Sequence, residues 1–185
     1  MDPLLELFAQ LERIGRPAVL ATLLRADGPG LRRILGEAEA AGPAQAVLAS
    51  GRSRTVAMDL DPAFARFWPG LDGAVLLEPM IPGRLPPWLH FCTQQLKRGG
   101  GCVLATVAAV AGALPYAVGD RYGYDDRDHG LLPMDGRFSL ELHRACQRVR
   151  AATHPIRERF PFPGGSLELI LEPLGPRAAL AAPAP

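Results

Sequence analysis

The segment Val19-Leu20-Ala21-Thr22 recurs as Val103-Leu104-Ala105-Thr106, and residues before it keep step: Leu5 with Leu89, Gln10 with Gln94, Arg13 with Lys97 and Gly15 with Gly99, all at an offset of 84. A second match follows, where Val75-Leu76-Leu77-Glu78-Pro79-Met80 recurs as Leu169-Ile170-Leu171-Glu172-Pro173-Leu174 at an offset of 94. Two ordered landmarks, with ten more residues between them in the second copy, describe a duplicated unit carrying an insertion. The period is too long for the short solenoid repeats. It divides the chain into a unit over residues 1–84, a related unit over 85–177 and a tail over 178–185. A half with one apolar face is stabilised by burying that face on its sibling, so the reading is two tandem units packed as one pseudo-twofold body.

Each copy opens with a helix. In the first, Asp2 can cap, Pro3 suits the first helical position, Leu4, Leu7, Phe8 and Leu11 share a face, and Gly15 can end the helix. In the second, Pro86 and Pro87 start the helix and Gly99 to Gly101 stop it. The runs Ala18 to Leu24 and Cys102 to Val110 are short, partly β-branched and bounded by turn residues, which favours buried strands. Leu31 to Ser50 reads as interrupted helix, and Tyr116 to Met134 as strand, acidic turn and strand before an amphipathic helix from about Ser139. Leu142, Ala145, Cys146 and Val149 form that helix's apolar face; Glu141, Arg144 and Arg148 face water. Both copies close on paired strand-like runs, Arg54 to Leu60 with Ala74 to Met80, and Ile156 to Phe162 with Ser166 to Glu172. The expected class is α+β, two tandem helix-plus-sheet units with no Rossmann domain. The tail, alanine and proline apart from Leu180, has too little to bury and is expected to fray.

Composition narrows the function. With 48% hydrophobic and 21% charged residues the chain can bury one sizeable core or two small ones, and a net charge of +1 argues against nucleic acid as a partner. The longest apolar stretch, Cys102 to Ala111, is ten residues, far below the roughly 20 that a helix needs to cross a bilayer. The N-terminus has acid where a secretory signal needs base, so the expected location is cytoplasmic. Cys92, Cys102 and Cys146, odd in number and widely spaced, suggest buried free thiols, neither a disulfide framework nor a zinc knuckle.

Few side-chain patterns suggest chemistry. Gly99 to Gly101 follows a helix, the reverse of a phosphate loop, and reads as a turn. His143 with Cys146 and His90 with Cys92 are weak pairs for a metal, so His143 is read as solvated, Cys146 as core and the metal set as none. No catalytic residue is singled out. The polar segment Asp120 to Gly130, with its acids, two arginines, two tyrosines and His129, is either a ligand-facing loop or a solvated hairpin turn. Glu78 and Glu172 end apolar strands before proline, where a carboxylate meets water or an arginine more often than a substrate.

Helix, glycine, Val-Leu-Ala-Thr and a later apolar strand ending Leu-Glu-Pro resemble the N-terminal domain of the XdhC/CoxI family of molybdenum-hydroxylase accessory proteins. In that family the Ala-Thr strand leads to a Gly-Ser-x-Pro-Arg-x-x-Gly-like segment, a Ser-Gly-Gly-Cys-x-Glu motif, a helix, and a Gly-Gly strand ending in Glu-Pro. The second copy follows this order better: Gly112, Pro115 and Gly119 fit the first segment, with Tyr116 where arginine is usual, and Gly164-Gly165 precede the last strand. The first copy keeps Gly28, Arg54 to Asp59 and Leu77-Glu78-Pro79. Ser-Gly-Gly-Cys is absent from both copies, its nearest counterpart being Phe138-Ser139-Leu140-Glu141, and the family's C-terminal Rossmann domain does not follow Glu172.

The resemblance implies an accessory protein or chaperone for maturation of the molybdenum cofactor and its insertion into a xanthine or carbon monoxide dehydrogenase type of hydroxylase. It would bind without turnover. The implied cofactor is molybdopterin, and the implied partners are the hydroxylase apoenzyme or another maturation protein, with no membrane span and with self-association into a homo-oligomer left open. Within that reading the cofactor site is expected at Gly112, Pro115, Tyr116, Gly119 and Arg121. Glycines allow close backbone approach, Arg121 offers a fork for phosphate, and Tyr116 and Tyr122 offer ring faces. Two alternatives stand beside it: a scaffold that holds no cofactor and docks on the hydroxylase or on a full-length family member, and a small enzyme using the loop from Asp125 to His129.

Overall fold

A computed structural model describes residues 2–25, 30–57, 62–125, 127, 130–131, 133 and 135–175. It is mixed α and β, and every strand pair among the described residues is antiparallel. No helix among them is long and apolar enough to cross a membrane. The chain separates into two compact units, Glu6–Leu85 and Pro86–Pro185 with Met1–Leu5. The tail 178–185 lies outside the described residues.

The opening helix α1 (Pro3–Ile14) forms on its local signals: Asp2 Oδ1 accepts the Leu4 amide at 2.8 Å, and Gly15 follows the last turn at φ 62°. Leu4, Leu7, Phe8 and Leu11 are its buried face. Next come β1 (Ala18–Leu24), β2 (Leu31–Leu35), α2 (Pro43–Ser50), β3 (Arg54–Ala57), α3 (Pro62–Ala65) and β4 (Ala74–Met80), with sheet order β2-β1-β4-β3. Residues 31–35 are therefore strand where local pattern reads as helix. The reason is long-range: β2 pairs along β1 from Val19 with Leu35 to Leu23 with Leu31, filling ladder positions that a helix would leave open. Val19, Ala21, Leu23, Val75 and Leu77 form one core face with Leu35, Ala44, Val47, Phe64 and Trp68.

The second unit runs α4 (Pro87–Lys97), β5 (Cys102–Gly112), β6 (Arg121–Asp125), β7 (Gly130–Leu131), α5 (Gly136–Ala152), β8 (Ile156–Phe162) and β9 (Gly165–Leu174), with sheet order β7-β6-β5-β9-β8. Helix α5 starts three residues before the expected Ser139, because Asp135 is the cap and its carboxylate accepts the Phe138 amide at 2.9 Å. Its apolar face is the expected one, and Phe138, Leu142, Ala145, Cys146 and Val149 pack on Val103, Ala105, Val107, Leu169 and Leu171.

Taken separately, the two sheets repeat one connectivity. Strands β1, β2, β3 and β4 answer to β5, β6, β8 and β9, and the β1–β4 register over Ala18–Leu23 agrees with the β5–β9 register over Cys102–Val107. Leu20 faces Glu78 as Leu104 faces Glu172; Val19 faces Pro79 as Val103 faces Pro173; Thr22 faces Leu76 as Thr106 faces Ile170. The repeated Glu-Pro has a topological cause. Strand β3 begins at the pair Arg54 with Leu77, and β8 begins at Ile156 with Leu171, so each proline lies beyond the outer ladder, where a missing N–H costs no bond on that side. The insertion is taken up by β7 and by a helix of 17 residues where the first unit has one of 8.

Two backbone positions test this account. Gly112 closes the β5–β9 pair at φ 86°, and an added Cβ would overlap the Gly164 carbonyl oxygen. Gly112→Ala should destabilise by about 2 kcal/mol or more in denaturant titration. Thr153, the left-handed cap of α5 at φ 56°, carries a side chain where glycine is favoured, and Thr153→Gly should gain about 1 kcal/mol.

Candidate functional site

The expected site residues lie along the β5–β6 connection. Gly112 ends β5, and the close approach it permits is made by the chain's own Gly164-Gly165 turn. The loop then folds back on β5. Gly119 N–H donates to the Val107 carbonyl at 2.8 Å, Val107 N–H donates to the Asp120 carbonyl at 2.9 Å, and Asp120 Oδ2 accepts the Ala117 amide at 2.8 Å. An irregularity in the β5–β9 ladder between Val107 and Ala109 gives room for these bonds. Pro115 is exposed in the loop.

Tyr116 and Tyr122 are held by the core. Tyr116 meets Phe138 edge-on at 5.3 Å between centroids and leans on Phe162 at 5.7 Å; Tyr122 stands perpendicular to Phe138 at 5.9 Å. Burial, then Asp120 and Tyr116, push the Tyr122 phenol up to about 12, and burial with Asp135 raises Tyr116, so both remain protonated at neutral pH. Arg121 goes the other way. It faces Thr106 across the ladder while Tyr122 faces Ala105, so the two neighbours point to opposite faces of the sheet, and the Arg121 guanidinium lies 4.1 Å above the Trp88 ring of α4. The structure thus gathers Tyr116 and Tyr122 on the α5 side with Phe138, and separates Arg121 from them.

Of the acidic loop, Asp125 is buried and its Oδ1 accepts the Arg127 amide at 2.8 Å, while Asp126, Asp128 and His129 lie outside the described residues. Gly28 and Asp59 lie outside them too. His143, expected in solvent, is half-buried with its ring 4.7 Å from that of buried Tyr124 and its Nε2 3.4 Å from the phenol oxygen. His143 is one residue past the core position Leu142 on α5, and so reaches the rim of the packed face.

The repeat also holds a polar set that the two sequence frames passed over. Thr22 faces Arg32 across one ladder as Thr106 faces Arg121 across the other, and on the same faces Glu78 and Glu172 occupy matching positions on the neighbouring strands. Both threonines and both glutamates are buried, and Arg32, Glu78, Arg121 and Glu172 are each engaged by other groups. Arg32 and Arg121 stand 89 apart, between the offsets of 84 and 94, which hides the match from either alignment. A hollow of about 240 Å³ in the first unit, lined by Gln10, Ile14, Arg16, Pro17 and Ile34 among others, includes none of the expected site residues.

All three thiols are buried. A hydrogen bond with Cys92, burial, and the Asp2 and Asp125 carboxylates hold Cys102 well above the ordinary thiol range, while burial, then Glu158, pushes Cys146 up to about 12. Neither should react with a thiol reagent in the native protein. A thiol whose folded pKa is raised stabilises fully below its unfolded value of about 8.5, and that stability is lost as pH climbs towards the folded one. Between about pH 9 and pH 12, Cys146→Ala should therefore lose stability less steeply than the parent, by about 1.4 kcal/mol per pH unit. Alkaline denaturation with identical slopes would refute it. Compared with known proteins, the chain matches no family model and no curated protein.

Proposed function

We propose that this protein is a maturation accessory of a molybdenum hydroxylase and that it works as a docking scaffold, seated on the hydroxylase apoenzyme or on a full-length XdhC/CoxI family member, with no pterin of its own. The family part of the reading rests on the resemblance, whose landmarks are the strands that both sheets keep in one register. The choice of scaffold over carrier rests on one observation. A pterin carrier needs a ring-stacking face and a phosphate fork on one side of the site, and here Arg121 lies on Trp88 while Tyr116 and Tyr122 pack on Phe138 across the sheet. The residues present do not fit the group. The counterpart of the missing Ser-Gly-Gly-Cys motif points the same way, since Phe138-Ser139-Leu140-Glu141 forms the first turns of α5 and Phe138 is core.

Co-expression with a hydroxylase of the xanthine or carbon monoxide dehydrogenase type, followed by metal and pterin analysis, tests both parts. The expected result is a stable complex with the apoenzyme or with a full-length family member, and neither molybdenum nor pterin on the isolated protein. Stoichiometric pterin on the isolated protein would restore the carrier, and no association with either partner would remove the family reading. Arg121→Ala should leave complex formation intact and cost roughly 1 kcal/mol of stability through loss of the Trp88 stack, measured by urea titration.

A further inference from the structure

The hollow of about 240 Å³ in the first unit lies between the end of α1 and the turn that follows β2. Ile34 of β2, which is buried, supplies its apolar surface together with Ile14, Pro17 and Ala38. The turn that forms one wall is held by its own bonds. Ala40 N–H donates to the Gly36 carbonyl at 2.9 Å, Glu39 Oε2 accepts the Gly36 amide at 3.3 Å, and Glu39 Oε1 pairs with Arg33 at 3.3 Å. Glu39 is thereby engaged. The other polar side chains of the lining, Gln10, Arg16 and Glu37, form no hydrogen bond or ion pair among the described residues.

Arg16 stands on the link from α1 to β1 and Glu37 on the turn after β2, so opposite charges are set on two walls of the hollow without meeting. A ligand that carries both charges and an apolar group answers both walls at once and covers the apolar surface between them. The volume lies below the roughly 300–1,000 Å³ of sites for drug-sized molecules, which limits the occupant to a small one. The repeat supplies an internal contrast. At the offset of 84 the second unit has Arg98 for Ile14, Gly100 for Arg16 and Gly101 for Pro17, and its Gln94, the counterpart of Gln10, is tied to His90 at 2.8 Å. The cation and the apolar residues at 14 and 17 belong to the first copy alone.

We propose that this hollow binds a small zwitterion, a free α-amino acid with an aliphatic side chain. Arg16 takes the carboxylate, Glu37 takes the ammonium, and the side chain lies on Ile14, Pro17 and Ile34. The site is independent of the docking reading above and needs no hydroxylase to be tested. Heteronuclear NMR titration of the whole labelled chain with leucine and valine reads both affinity and place. Saturable shifts are expected at the Gly36 and Ala38 amides and none at their counterparts in the second unit. Leucinamide, which lacks the carboxylate, and isocaproate, which lacks the ammonium, should each bind roughly fivefold more weakly than leucine. Arg16→Ala should weaken leucine by a similar factor and leave leucinamide unchanged, while Glu37→Ala should weaken leucine and leave isocaproate unchanged. Both side chains are exposed and make no bond among the described residues, so these variants should fold as the parent does. Arg148→Ala, on α5, should bind leucine as the parent does. No saturable shift with either amino acid, shifts centred outside the hollow, isocaproate or leucinamide binding as tightly as leucine, or an Arg16→Ala protein that loses leucine and leucinamide alike would each overturn the site.

Discussion

The antiparallel pairing of each copy's central strand with its last long strand, β1 with β4 and β5 with β9, is the constraint from which the rest of the structure follows. These strands are buried on both faces, so Ala18–Leu24, Thr22 apart, and Cys102–Leu104 are apolar at successive positions instead of alternating. A strand of that kind is stable only when both its edges and both its faces are occupied. Edge pairing brings in β2 and β6 on one side, while β3 and β8 attach beyond β4 and β9. On the core face, α2 and α5 supply the apolar residues that close the layer.

The same pairing explains features that look decorative in the chain. Proline after glutamate is tolerated in β4 and β9 because the outer strand stops short of it. Gly112 and Gly165 are where two backbones come too close for a side chain. The threonine, arginine and glutamate repeated on one face of each sheet recur because register recurs: a slip of one residue would turn them onto the apolar core face and bring the core residues out. Burying such groups carries a desolvation cost, and the engaged state of both arginines and both glutamates is what makes the arrangement tolerable.

Cys102 and Cys146 are acids whose neutral form suits an apolar setting, so burial holds the proton on and makes them inert packing groups. The residues expected to hold a pterin are parted by direction. Arg121 and Tyr122 are neighbours in sequence, and in a strand neighbours part to opposite faces.

The sequence by itself determined the recurring landmarks, the α+β class, the helix signals at Asp2, Pro3 and Gly15, and the central strands, because each rests on local periodicity, capping chemistry or self-comparison. It also contained the start of α5, since Asp135 stands three residues before the Phe138 amide it caps. Only the tertiary structure decided that residues 31–35 are strand, that Arg121 turns away from Tyr116 and Tyr122, and that His143 lies against Tyr124. Each of these depends on which distant surface a residue meets. Ladder pairing and burial are set by segments many residues away, and no local pattern contains them.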